Sequence, residues 1–299
     1  MRGPEPLGQN VPMPWTTTED LDEYLDIVTP FLREDPVADT LLVTISDALR
    51  TRGIHAFSHH RPLLGWWRDA AGTVGAALIQ TPPFPVALSR CSSAAVQELL
   101  AVFGARADRG GRINIAAEHE AAFCEGISIL TGALPTAVAV KAEERQRLYR
   151  LGRLAPPVPG PAGRPRVAAA ADRALVVDWF AAFNKETFVR SPPDPAGMVD
   201  SRLPWGGIHL WTLDDGTPVS LAARSREAAG MTRVAPVYTP TEHRARGYAA
   251  AVTASVSRAA LDAGVGEVLL FTDLANPTSN GVYRRIGYVP VTDRVILAW

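Results

Sequence analysis

The chain has 299 residues, a formal net charge of −1, 47% hydrophobic residues and 20% charged residues. That balance describes a globular protein with ample material for a core, and the length suggests about two domains. The near-neutral charge excludes a global basic field for nucleic acid or an anionic membrane, and no apolar run is long enough to cross a bilayer.

Residues 1–15, MRGPEPLGQNVPMPW, lack the apolar core of a secretory signal and read as a mobile arm. Thr16–Thr18 with Glu19, Asp20 and Glu23 reads as a helix cap and acidic first turn. The helix Glu19–Leu32 follows, with Leu21, Leu25, Val28 and Leu32 on one stripe. Pro36 opens a second helix that runs to about Thr51 and stops at Gly53. Leu63–Arg68 and Thr73–Thr81 form a hairpin around the turn Asp69–Gly72, and Val86–Ser89 is a further short strand. Next come a helix Ser92–Ala107, a strand Ile113–Ala116, a helix Glu118–Thr131 and a strand Thr136–Lys141. Glu143–Arg150 is charged and either helical or extended.

The stretch Ala155–Arg166, APPVPGPAGRPR, can hold neither a helix nor a central strand. It marks a domain boundary, with 16–154 on one side, a linker over 155–165, and 166–299 on the other. The second half reads as a strand Arg166–Ala170, a helix Arg173–Val189, a Pro-rich loop Ser191–Pro195 and a short helix Ala196–Arg202. Three strands follow, Ile208–Leu213, Pro218–Ser225 and Met231–Tyr238. The helix Gly247–Ala263, the strand Glu267–Thr272, the helix Pro277–Ile286 and the strand Tyr288–Leu297 close the chain. Both halves share this order of elements, so the expected architecture is α+β, one unit used twice in tandem. Each unit is expected to be a mixed, mostly antiparallel sheet flanked by helices.

Two stretches of the second half carry chemistry. In the first, the strand ending at Tyr238 breaks at Thr239–Pro240–Thr241 and leads through Arg244–Ala245–Arg246–Gly247 into an Ala-rich helix. A helix start leaves backbone N–H groups unpaired and carries a partial positive charge, which suits a phosphate or pyrophosphate. Gly247 leaves room for close approach, and Arg244 and Arg246 add fixed charge. A plain surface turn with solvated arginines fits this stretch equally well. In the second, the apolar strand before Asp273 is followed by Asn276-Pro-x-Ser279-Asn280-x-x-Tyr283-x-x-x-Gly287-Tyr288.

Taken together with Arg244-x-x-Gly247-x-Ala249, this pattern resembles the GNAT superfamily of acyl-CoA-dependent N-acyltransferases from about Arg164 onward. The first half carries neither motif: Arg90–Cys91–Ser92–Ser93 follows its third strand. It therefore reads as a degenerate GNAT-like unit that serves as a scaffold or an acceptor-side wall. The resemblance implies transfer of an acetyl group from acetyl-CoA directly to an amine, with no metal. It implies that Pro236, Val237, Tyr238 and Thr239 line the pantetheine arm. The pyrophosphate would lie on Arg244, Ala245, Arg246, Gly247, Tyr248, Ala249 and Ala250, and Asn276, Ser279 and Asn280 would give further contacts. Each asparagine is equally a helix cap by its residue type. The resemblance makes Tyr283 the general acid that protonates the leaving thiolate, against the plainer role of a core tyrosine.

A base for the incoming ammonium is not evident. Glu186, Glu227 and His209 are candidates, and Glu242 and His243 sit beside the phosphate turn. The family's acceptor site would correspond to Phe183–Pro195 with Trp205 and Trp211. The acceptor is expected to be a small-molecule or protein amine, the chain a monomer or homodimer, and neither nucleic acid nor membrane a partner. A non-catalytic acyl-CoA-binding sensor or scaffold is the alternative. Cys91 and Cys124 form no CxxC pair, so they read as reduced thiols of a cytoplasmic protein. Composition rich in Ala and Arg with few lysines fits a high-GC bacterial source.

Overall fold

A computed structural model describes residues 15–104, 111–131, 139–187 and 194–299. The expected arm lies outside these residues except for Trp15, which is not mobile but buried in a strand. Half of the expected strand Thr136–Lys141 and most of the loop Ser191–Pro195 also lie outside them.

The first half contains β1 (Trp15–Thr18), α1 (Leu21–Leu32), α2 (Thr40–Arg52), β2 (Leu63–Arg68), β3 (Val74–Gln80) and β4 (Val86–Leu88). It continues with α3 (Ser93–Gly104), β5 (Arg112–Ala116), α4 (Glu120–Thr131) and β6 (Lys141–Leu151). The second half contains β7 (Arg164–Val167), α5 (Arg173–Thr187), α6 (Pro195–Asp200), β8 (Ile208–Thr212), β9 (Pro218–Arg224) and β10 (Met231–Tyr238). It ends with α7 (Tyr248–Asp262), β11 (Glu267–Asp273), α8 (Pro277–Arg285) and β12 (Tyr288–Ala298).

Two readings are corrected. Thr16–Thr18 is not a helix cap; its β-branched residues extend as β1 and pair antiparallel with β2. Asp20 caps α1 instead, and its carboxylate accepts from the N–H groups of Asp22 and Glu23. The charged run Glu143–Arg150 is extended, and it forms β6.

All twelve strands join one sheet in the order β1-β2-β3-β4-β5-β12-β6-β11-β10-β9-β8-β7. Pairing is antiparallel except at β4–β5 and β10–β11. The repeat is visible in this order, because each half has an antiparallel hairpin, a third strand, and a parallel partner reached through a helix. The last strands are exchanged between the halves. Strand β6 lies between β11 and β12, and β12 lies between β5 and β6. Continuity at the seam therefore depends on strands contributed by both halves.

The apolar faces of these strands bury against helices on both sides. Val252, Val256 and Ala260 of α7 pack on Val219, Val234, Val268 and Leu270 of the second half. Leu99, Phe123 and Ile127 play the same part in the first half, on Leu88, Ile113, Ile115 and Val295. On the opposite face, Val43 of α2 packs near Met231, Leu269 and Leu148, so the first half covers part of the second half's sheet. Each such buried aliphatic side chain contributes about 1.5–3 kcal/mol.

Candidate active site

Strands β10 and β11 run parallel but pair only at Met231–Arg233 with Glu267–Leu269. Beyond Arg233 they part, although β11 continues to Asp273. The register of β10 against β9 also shifts between Val234 and Val237, which is a bulge. The rest of β10, including Pro236, Val237 and Tyr238, thus has no strand on its β11 side. An extended ligand can add to that edge through main-chain bonds.

The chain then turns into α7. Arg244 is extended, Ala245 is left-handed at φ 60°, and Gly247 is left-handed at φ 82°. Left-handed residues in such a turn point successive N–H groups toward one side, a nest for an anion. The amides of Ala245, Arg246, Gly247, Tyr248, Ala249 and Ala250 donate to no group among the described residues. The first bond of the helix is donated by Ala251, to the carbonyl of Gly247. Gly247 is exposed, and no side chain caps this helix start. Six free amides and the positive end of a fifteen-residue helix match the charge and donor needs of a diphosphate.

Arg244 is otherwise engaged. Its Nε donates to the Thr239 carbonyl at 2.9 Å, and one terminal nitrogen lies 2.7 and 2.9 Å from the two oxygens of Glu186. It anchors the turn to α5; both arginines are exposed, and Arg246 makes no ion pair among the described residues. Glu186, one of the candidate bases, is held as that partner.

On the other side of the opening stands α8. Asn276 is its N-cap and accepts from the Ser279 N–H at 3.0 Å. Asn280 is buried, and its amide nitrogen donates to the carbonyls of Asp273 and Asn276, both at 2.8 Å. Its Oδ1 accepts from the Tyr149 hydroxyl at 2.9 Å, and that hydroxyl accepts from Arg284 Nε at 3.2 Å. Asn280 is thus a knot between β11, α8 and β6. Tyr149 has no local sequence signal, because its partners lie more than a hundred residues away.

Tyr283 packs against the cluster that holds Val234, Tyr248 and Ala251, beside Val237 and Ala250. Its ring meets Tyr288 edge-on, with centroids 6.1 Å apart. Burial pushes its phenol up to about 12, so it holds its proton across the neutral range. Its hydroxyl has no hydrogen-bond partner among the described residues. Tyr288, by contrast, shares a 2.8 Å bond with Ser257.

The other candidates are placed elsewhere. His209 is buried, shares a 3.0 Å bond with Ser255 of α7, and is pushed down to about 4 by burial, with Arg224 adding to the shift. Glu227, Glu242 and the turn arginine Arg246 are exposed. Trp211 is buried in the core, and its indole N–H donates to the Ala162 carbonyl at 2.8 Å. Trp205 is half-buried, with Arg224 and Arg226 over its ring.

The matching place in the first half is filled from within. After β4, the Arg90 N–H donates to Asp39 at 2.7 Å, and the Arg90 guanidinium pairs with the same carboxylate. That guanidinium also reaches the Phe31 carbonyl and Glu34, each at 2.7 Å, and lies over the Phe31 ring. The carboxylate of Asp39, the residue before α2, therefore occupies this turn. Burial pushes Asp39 up to about 6, with Arg90 opposing the shift. Cys91, next in the chain, is a free thiol pushed up to about 12 by burial, which makes it a poor nucleophile.

Among the described residues no group of three or more His, Cys, Asp or Glu is arranged to hold a metal ion. No helix among them is long and apolar enough to cross a membrane.

Residues 214–296 match the family model described as FR47-like protein. No curated protein gives a significant match. Solved structures share the fold over nearly the whole chain. A GCN5-related N-acetyltransferase from Sphaerobacter thermophilus is 15% identical, with a TM-score of 0.60 and 95% of each chain covered. A GNAT-family acetyltransferase from Colwellia psychrerythraea is 12% identical, with a TM-score of 0.57 and coverage of 95% of this chain and 98% of that one. A tandem GNAT protein from the clavulanic acid biosynthesis pathway is also 12% identical, with a TM-score of 0.51 and the same coverage. The fold is thus that of a tandem GNAT protein, with the FR47-like segment in the second half.

Proposed function

We propose that the chain is an acetyl-CoA-dependent N-acetyltransferase whose working site is the opening between β10 and β11. The observation that carries this reading is the run of six unpaired amides from Ala245 to Ala250 beside an unpaired strand edge. The edge of β10 at Pro236–Thr239 lines the pantetheine arm, and the amides hold the diphosphate. Bound in this way, acetyl-CoA supplies the activated acyl group. Tyr283 keeps a proton at its phenol and has no partner among the described residues to hold it back, so it serves as the general acid for the departing thiolate. Asn276 caps α8 and keeps that helix start beside the opening. The acceptor, a small-molecule or protein amine, approaches from the face covered by α5, α6 and the first half.

No described carboxylate or histidine stands ready as base: Glu186 is paired, and His209 is buried and tied to Ser255. The reading therefore assigns proton removal to solvent at the open face. Thiol release from acetyl-CoA with a panel of amines, alongside calorimetry with coenzyme A, tests the proposal. Binding with acetyl transfer supports it. Binding without transfer to any amine favours a non-catalytic sensor, and no binding sinks both readings.

A further inference from the structure

Arginines from four elements converge where the second half's sheet meets the first half. Arg233 sits on β10 between the buried Thr232 and Val234, and its register partner is Leu269, the last pair before β10 and β11 part. Side chains alternate along a strand, so Arg233 shares the face of Met231, the face that α2 covers. Arg202 follows α6, and Arg52 ends α2. Arg224 ends β9 one strand over, with its Cα opposite Val234.

None of these four guanidiniums has an ion pair among the described residues. Asp47, the carboxylate whose charge acts on Arg52, is itself paired with Arg50 at 2.8 Å. Glu227 faces Arg224 without forming an ion pair. Arg202 donates to the Met198 carbonyl at 2.8 Å, but its Nε is buried with no partner, and so is the Nε of Arg224. The Arg233 side chain makes no hydrogen bond among the described residues; only its main chain is held, by Ser225. Burial pushes Arg202 down to about 10, with Arg52 adding repulsion, and pushes Arg233 down to about 10, with Arg202 adding repulsion. Arg202, Arg224 and Arg233 are half-buried and Arg52 is exposed, so an anion from solvent can reach the set. A partly buried cation without a counter-charge is costly, and an anion placed there would offset that cost.

We propose that Arg202 and Arg233 form the anion subsite of the acceptor pocket, and that the acceptor is an amine bearing a carboxylate or a phosphate at its far end. The naming of an acceptor rests on the acetyltransferase reading; the anion site itself does not. Arg233 lies one residue before the strands part, about 3 Å along the chain from the opening. A short amine anchored there by its anion would present its nitrogen to the opening. Arg52 would add charge from the first half, which gives that half a part in choosing the substrate.

The test uses the full chain with excess coenzyme A, so that the phosphate turn at Gly247 is blocked. Succinate and glycerol phosphate are titrated by calorimetry and thermal melting, with sodium chloride at matched ionic strength as the control. The expected result is that at least one of the two binds and raises the melting temperature beyond the chloride control. Succinate alone identifies a carboxylate, and glycerol phosphate alone a phosphate. Arg233→Met and Arg202→Met should each weaken that binding at least tenfold. Without anion, Arg233→Met should melt no lower than the parent, because a half-buried charge without a counter-charge has been removed. A parent protein that responds to neither anion more than to chloride overturns the proposal. So does an Arg233→Met protein that binds the anion like the parent. Coenzyme A titrated separately tells this outcome from failure of the acetyltransferase reading.

Discussion

Replacing Tyr283 with Phe removes one oxygen and leaves the ring in place against Tyr288. That hydroxyl has no partner among the described residues, so its loss breaks none of their bonds. Tyr283 is half-buried, and removal of a hydroxyl that bonds to no described group changes stability by less than about 1 kcal/mol. A general acid contributes about 10²–10⁴-fold to turnover, or roughly 3–5 kcal/mol of the barrier. Tyr283→Phe should therefore melt like the parent and lose at least about a hundredfold in kcat, with KM for acetyl-CoA little changed. Because burial holds the phenol at about 12, the parent's rate should not fall through ionisation of this group between neutral pH and pH 10.

Tyr149→Phe supplies the contrast. Its hydroxyl donates to Asn280 and accepts from Arg284, so its loss leaves a buried Asn280 oxygen unsatisfied. That costs about 1–3 kcal/mol of stability. The pair is read by steady-state kinetics at saturating acetyl-CoA and by thermal melting. If Tyr283→Phe kept its kcat within about threefold, or if it were destabilised as much as Tyr149→Phe, the acid role derived from an unpartnered phenol would be wrong.

Two further substitutions probe the turn and the base. Gly247→Ala places a Cβ at φ 82°, a conformation that costs a non-glycine residue about 1–2 kcal/mol, and the adjustment disturbs the amide array. KM for acetyl-CoA should rise at least about tenfold while the fold persists, measured by calorimetry and circular dichroism. His209→Gln should retain full activity because His209 is bonded to Ser255. His209 is lowered to about 4 in the fold against 6.5 as its ordinary value, so the parent loses stability as pH falls from about 6.5 to 4, when only the unfolded state can take the proton. Melting curves across that window should show a shallower fall for the variant.

The parts of this fold that follow local rules were legible in the sequence. A helix start after a broken strand, Asn276 as a cap before Pro277, and a glycine at the end of α8 are all short-range signals. Gly287 shows why the last must be glycine: its φ is 102°, and a Cβ there would strike the Arg153 carbonyl. Strand β6 was ambiguous for the opposite reason. A central strand usually reads apolar, yet this one is lined with charges. Its charges are matched by Asp293 for Arg147 and Glu267 for Arg150 on neighbouring strands, and by Glu120 of α4 for Arg145, none of them a sequence neighbour. Tyr149 was invisible for the same reason. Arg233 did leave a signal, a lone cation inside the apolar strand MTRVAPVY, but its weight appears only when Arg202 and Arg52 arrive from other elements.

The exchanged strands decide what the Pro-rich linker can mean. Residues 155–165 look like a place to cut, but a cut there separates β6 from β11 and β12, and β12 from β5. The second half alone would lose Leu148, Tyr149 and Leu151, all buried. At about 1.5–3 kcal/mol for each fully buried side chain, that is roughly 5–9 kcal/mol, comparable with a domain's whole net stability. It would also lose the hydroxyl that braces Asn280 and would expose one edge of β11 and both edges of β12, which invites aggregation. Residues 155–299 expressed alone should therefore neither melt cooperatively nor bind coenzyme A. Residues 1–154 and 155–299 expressed together as separate chains should co-purify and recover binding, because the sheet and not the linker joins them. A soluble 155–299 fragment with a sharp melting transition and parental affinity for coenzyme A would show that the second half is self-sufficient and that β6 is dispensable to the site.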